Sequence, residues 1–311
     1  MLTRSDLLST SLQDTNAGNS GDLIKHISYL ALLRELGHVR PQPGQHHIVE
    51  AHGGKGVYVS THPHLVAARR LDDYPRSTLG RAQAACFAPD PCTLGPVTGL
   101  RPGEIAYAGS SALHALAVVE SLSSALSVLD SDQGVRDIVN RVFSEPCFAG
   151  VRSQLQIDDP AGPSEPVVLS RLLAGAFGSG HTLRFDPFAF VMARTDAPIR
   201  AVYGDLIREC DARVGRQELA AASVFFTWGS NGAAAKDDLY GVGYLDGQPN
   251  GYQELVSTVN PERRIVGVWC WELFFSLLLI VPSDLKAPLG RAIQADASWV
   301  KPLMRRFDIM I

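Results

Sequence analysis

The chain has 311 residues, 46% of them hydrophobic and 19% charged, with a net charge of −4. That supply of apolar side chains offsets the entropy of ordering the backbone, which excludes a disordered chain and predicts one large folded α/β domain with insertions. The 28 Lys and Arg form no basic block of the kind that follows a phosphate backbone, the five scattered cysteines include no C-x-x-C pair, and no apolar run is long enough to span a bilayer.

Taken in chain order, the first 25 residues are polar and end in Asn16-Ala17-Gly18-Asn19-Ser20-Gly21-Asp22, after which Leu23, Ile24, Ile27, Leu30, Ala31 and Leu33 recur at helical spacing. Asn19, Ser20 or Asp22 can cap that helix and Gly37 can stop it, which predicts a helix over 21–36. The N-terminus has no basic start followed by an apolar stretch, so no secretory signal is read and a cytoplasmic location is expected. His47 to Ala51 is a short β-branched strand that breaks into the glycine turn Glu50-Ala51-His52-Gly53-Gly54-Lys55-Gly56, with a helix from Leu65 to Leu71 beyond it. Ile105 to Tyr107 predicts a strand, Ala112 to Leu122 a helix, and Leu126 to Leu129 a strand ending at Asp130. A weak strand at Leu155–Ile157 precedes the loop 158–163, a helix covers Val167–Phe177, and His181–Phe185 is a strand that runs into Asp186-Pro187-Phe188-Ala189-Phe190. Later strands are expected at Ser223–Trp228, Arg264–Trp271 and Leu277–Val281, with a long Gly-, Asn- and Asp-rich loop from Gly229 to Pro261. Strands alternating with helices imply a doubly wound, mostly parallel sheet.

In such a sheet, ligands sit beyond the carboxyl ends of the strands. Glycines 53, 54 and 56 directly after a strand let the backbone approach a ligand closely. The acidic residue that should hold a ribose falls at Asp130, farther on than the dinucleotide spacing of about 20 residues, which disfavours NAD. His46, His47, His52, His62 and His64 fit no zinc spacing, so no metal is expected. Trp228, Trp269 and Trp271 lie in or beside apolar strands and are expected in the core, whereas Phe188 and Phe190 follow the strand end where acceptors bind.

Three segments in order carry a resemblance: Asn16-Ala17-Gly18-Asn19 with Asp22-Leu23-Ile24-Lys25-His26, the turn Glu50 to Gly56 followed by Val57-Tyr58, and Tyr107-Ala108-Gly109-Ser110. Together they resemble the bacterial methyltransferases that modify the adenine amino group of large-subunit ribosomal RNA. Glu272 to Leu285 is also similar to that family's final hairpin. The resemblance implies a Rossmann-like class I methyltransferase fold using S-adenosylmethionine, with residues 1–45 as an N-terminal helical extension and 46–311 as the catalytic domain with inserted loops. It further implies that His26, His52, Gly53, Gly54, Gly56 and Ser110 meet the cofactor, that Asp130 binds its ribose and that Asp158 or Asp159 meets its adenine edge. Asp186 would accept from the amino group being methylated, with Phe188, Phe190 and Lys25 on the acceptor side.

The chain departs from the family pattern at three places. Asn16 stands where the leader has histidine, Lys55 enters a turn position that is otherwise small, and the acceptor motif reads Asp-Pro-Phe-Ala-Phe without its second proline. RNA and a small-molecule acceptor in a biosynthetic pathway, the latter possibly met by sulfonium chemistry other than methyl transfer, are therefore both carried forward.

Overall fold

The computed structural model describes residues 2–8, 17–39, 47–51, 54–89, 94–110, 112–113, 125–129, 137–140, 156–158, 180–185, 197–228, 256–271, 274–304 and 306–311. The chain divides into two units, one of residues 1–159 and 292–303, the other of residues 160–291 and 304–311.

In the first unit a one-turn helix, α1 (Arg4–Leu7), begins at a reciprocal cap in which Thr3 and Asp6 bond each other's backbone N–H. Arg4 holds Glu104 at 2.7 Å, and Thr3 bridges to Thr98, so the start of the chain is tied to the segment ahead of β3. The leader helix α2 (Ser20–Val39) is longer than the sequence predicts, because Gly37 continues the helix instead of ending it. Its apolar residues Leu23, Ile24, Ile27, Ala31 and Leu33 are buried as expected, yet Lys25, His26 and Ser28 on other faces are buried too. Ser28 satisfies its hydroxyl by donating to the Ile24 carbonyl one turn back.

Strand β1 (His47–Ala51) pairs in parallel with β4 (Ala125–Leu129), and β4 with β5 (Gln156–Asp158). The near-continuous burial of β1 is that of a strand covered on both faces. Between β1 and β4 the chain forms β2 (Val57–Ser60), the helices α3 (Pro63–Ala68) and α4 (Thr78–Cys86), and β3 (Ile105–Ala108). β2 and α4 are absent from the sequence reading. Pro63 at the first position sets the start of α3, so it begins and ends earlier than the predicted 65–71. β3 is a strand as expected, but it pairs antiparallel with β2 in a separate two-stranded sheet. Asp158, expected in a loop, closes β5 opposite Leu129. Ala112 and Leu113 are helical as predicted; the rest of that helix and the predicted helix over 167–177 lie outside the described residues.

In the second unit β6 (His181–Phe185) runs parallel to β7 (Ala221–Trp228). The helix α5 (Ala197–Gly215) connects them and was not read from the sequence. The remaining strands reverse direction: β8 (Arg264–Cys270) lies antiparallel to β9 (Phe274–Ile280), which is antiparallel to β7. After α6 (Ser283–Asp296), β10 (Arg306–Met310) adds antiparallel to β8. The result is the mixed, Rossmann-like α/β architecture, with an antiparallel end that alternation alone did not indicate. Phe225, Trp269 and Phe275 on neighbouring strands stack with centroids 6.0–6.2 Å apart, which places Trp269 in the core as expected. Arg263 holds Asp211 through two hydrogen bonds of 2.8 and 2.9 Å and so fastens α5 to the turn ahead of β8. Cys86 and Cys210 are buried free thiols. Among the described residues no helix is long and apolar enough to cross a membrane.

Candidate cofactor site

The site grows from the bend that leads into α2. Gly18 takes a φ of +79°, and a Cβ there would lie 2.9 Å from Leu65 Cδ2, so the bend needs glycine. The Gly18 N–H donates to Asp22 Oδ2, and the Asp22 N–H donates to Asn19 Oδ1, which makes Asn19 the cap. The Ser60 hydroxyl donates to the Ala17 carbonyl at 2.6 Å, and the Ser20 N–H donates to His64 Nδ1 at 3.0 Å. These two bonds fix the leader against β2 and α3. An imidazole that accepts at Nδ1 while buried has to be neutral, and burial, with the nearby His62 adding to it, pushes His64 down to about 4.

One turn into α2, Lys25 Nζ sits 2.7 Å from Asp22 Oδ1 and is almost fully covered. The next residue, His26, is 2% exposed and places Nδ1 2.7 Å from the hydroxyl of Tyr107, which is 1% exposed. The two rings stack with centroids 5.6 Å apart. Burial, ahead of several nearby charges, raises Tyr107 well above the usual phenol range, so the phenol stays protonated.

Tyr107 lies on β3 directly across from Tyr58 on β2, which puts both side chains on one face of the hairpin. The Tyr58 hydroxyl accepts from the Lys55 N–H at 3.1 Å, and the fully buried Lys55 ammonium stands 5.8 Å from the centre of the Tyr58 ring. Gly54 and Gly56 on either side of Lys55 have φ of +62° and +79°. The turn is joined to the end of β3 by the Gly109 N–H, which donates to the Gly56 carbonyl at 2.7 Å. A Cβ at Gly109 would meet Tyr58 Cε2 at 2.7 Å. Gln83 of α4 brackets Ala108 with two hydrogen bonds of 2.7 and 2.8 Å, satisfying the backbone where the hairpin ends, and buried Ser110 follows.

The hairpin thus gathers His26, Gly54, Gly56 and Ser110 from the sequence reading, with Lys25 beside His26. Asp158 occupies the last position of β5, one strand over from β4, whose end leads to Asp130. His52, Gly53, Asp130, Asp159, Asp186, Phe188 and Phe190 lie outside the described residues. Sequence reasoning did not single out Tyr107, Tyr58, Gln83 or His64. Tyr107 left a signal, an aromatic residue in a strand immediately ahead of Gly-Ser; Gln83 left none. Among the described residues no group of three His, Cys, Asp or Glu could hold a metal ion.

The donor set suits a nucleoside-bearing cofactor with a charged amino-acid end. Glycines at positive φ let backbone amides come close to it, a hydroxyl stands at Ser110, and a buried imidazole stands at His26.

No protein-family model matches the chain, and no curated protein matches it. Among solved structures, the Legionella pneumophila protein LPL1258, described under the family model DUF519, is similar over 94% of this chain and 97% of its own, at 11% identity and a TM-score of 0.57. The bifunctional kinase-methyltransferase WbdD is similar over 86% of this chain but 41% of its own, at 9% identity and a TM-score of 0.46. An rRNA methylase from Streptococcus thermophilus is similar over 83% of this chain and 97% of its own, at 10% identity and a TM-score of 0.39. The likeness to LPL1258 is one of fold, and it runs nearly the full length of both chains.

Proposed function

We propose that this protein is an S-adenosylmethionine-dependent methyltransferase that delivers the methyl group to a nitrogen acceptor, the adenine amino group of ribosomal RNA. One observation carries the cofactor half of the reading. Three segments far apart in the chain, the His26 turn of α2, the 54–56 turn and the Tyr107–Ser110 strand end, meet through the His26–Tyr107 and Gly109–Gly56 hydrogen bonds. They are the segments whose ordered motifs resemble the methyltransferase family.

The cofactor supplies a methyl group already activated on a sulfonium, so the protein's work is to bind, orient and exclude water. Gly54, Gly56, His26 and Ser110 would hold the amino-acid end, Asp130 the ribose, and Asp158 or Asp159 the adenine edge. Asp186 would accept from the amino group and leave the nitrogen lone pair facing the methyl, with Phe188 or Phe190 against the acceptor ring and Lys25 alongside. The missing second proline after Asp186 and the buried Lys55 favour a second reading, a small-molecule acceptor on the same cofactor site.

Calorimetric titration with S-adenosylmethionine and S-adenosylhomocysteine, with and without deproteinised ribosomal RNA, tests both readings. Micromolar binding that changes with RNA supports the ribosomal acceptor, and binding indifferent to RNA supports a small molecule. Absence of binding to either cofactor form ends both. Asp186→Ala is expected to abolish turnover while leaving cofactor affinity within about tenfold, because an acceptor contact acts in the transition state.

A further inference from the structure

The contact between His26 and Tyr107 has a direction that the heavy atoms alone do not display. Either the phenol donates to Nδ1, leaving the ring proton on Nε2, or Nδ1–H donates to the phenol oxygen. In the second case the phenolic proton would need another acceptor. Tyr107 is buried, the phenol is protonated, and among the described residues its hydroxyl makes no hydrogen bond except that to His26. A buried O–H with no acceptor bears its full desolvation penalty, so the first arrangement wins. Ring stacking at 5.6 Å and the strand pairing beneath Tyr107 keep the two groups in that relation.

We propose that Tyr107 is a positioning residue that donates its hydroxyl proton to Nδ1 and holds His26 as the neutral Nε2–H tautomer. The bound molecule is then met at His26 by an uncharged N–H donor and has to present an oxygen acceptor there. The ligand half rests on the reading of His26 as a cofactor contact. It gives the site a selectivity rule: a ligand whose group at this point is itself a donor is rejected, because two donors would face each other.

The test uses the full chain with 15N-labelled histidine. In the wild-type protein the His26 nitrogens are expected as one unprotonated Nδ1 and one protonated Nε2, and in Tyr107→Phe the two shifts move toward each other. A protonated Nδ1 in the wild type overturns the tautomer assignment without any variant being needed. Calorimetry with S-adenosylhomocysteine is expected to show Tyr107→Phe weakened by about three- to tenfold, the worth of one oriented hydrogen bond. The same change made in a His26→Ala background is expected to cost nothing further, because the effect travels through His26. An equal loss in both backgrounds would mean that Tyr107 acts through general packing, and the positioning role would fall. Absence of binding by the wild type removes the ligand half together with the cofactor reading, while the nitrogen shifts still decide the tautomer.

Discussion

The two units bury different chemistry. Around α2 and the β2–β3 hairpin, the first unit buries Lys25, His26, Lys55, His64, Gln83, Ser110 and Tyr107. Around β7, β8 and β9, the second buries Phe225, Trp269, Phe275 and a run of leucines and isoleucines, with the Arg263–Asp211 pair at its margin. Polar groups are costly to bury unless each finds a partner. The first unit meets that cost residue by residue, with bonds of fixed direction, whereas the second gains stability from area and shape. Specific chemistry belongs with the former and general stability with the latter, and variants can separate the two.

The largest effect is expected in the second unit. Trp269→Ala should destabilise the protein by about 3–5 kcal/mol in urea unfolding, through packing alone, since the buried indole N–H has no hydrogen-bond partner to lose. The fraction that remains folded should bind S-adenosylhomocysteine with unchanged affinity; a matching loss of affinity would break the division of labour.

A smaller effect belongs to His64. Its folded ring titrates at about 4 against an ordinary value of 6.5, so between those values the unfolded chain holds more protons. Stability is therefore complete above about 6.5 and drains away as pH falls toward 4, by about 2 kcal/mol between pH 7.5 and pH 5. His64→Asn keeps an acceptor for the Ser20 N–H and cannot titrate, so it should flatten that part of the stability profile. An unaltered slope would show that other groups carry it.

The smallest expected effect is the most local. Gly109→Ala drives a methyl group against Tyr58 and the Gly56 carbonyl, and should weaken S-adenosylhomocysteine binding by about tenfold, or about 1.4 kcal/mol. Unchanged affinity in a folded variant would detach the hairpin from the cofactor site.

What could be read from the sequence follows the same division. β1, β4 and β6 were legible because strands buried on both faces appear as β-branched or apolar runs. β2 was missed because Val57 to Ser60 is only four residues long and begins at the glycine turn, and β10 because Arg306 and Asp308 interrupt its apolar positions. β3 was recognised as a strand but not as part of a hairpin, since its partner β2 lies some fifty residues back and local pattern is silent on such pairings. Gly37 was read as a stop signal, yet an exposed helical face tolerates glycine at a modest cost in propensity. In the site, His26 and Ser110 were legible only as members of an ordered set of motifs. The Tyr107 hydroxyl that orients His26 is 81 residues away in sequence and left no local trace of that contact.

That separation also bears on when the site comes into being. Helix α2 can form from neighbours in sequence, whereas the His26–Tyr107 contact and the β1–β4 pairing wait for long segments to close, which is slow. A hairpin of two short strands held by a few bonds is also the kind of element that opens before the rest of a protein does. A molecule that binds the closed hairpin stabilises the folded chain in proportion to the logarithm of its concentration. The amount of intact protein in the cell would then track the supply of that molecule, and scarcity would be felt as turnover of the chain before it was felt as lost activity.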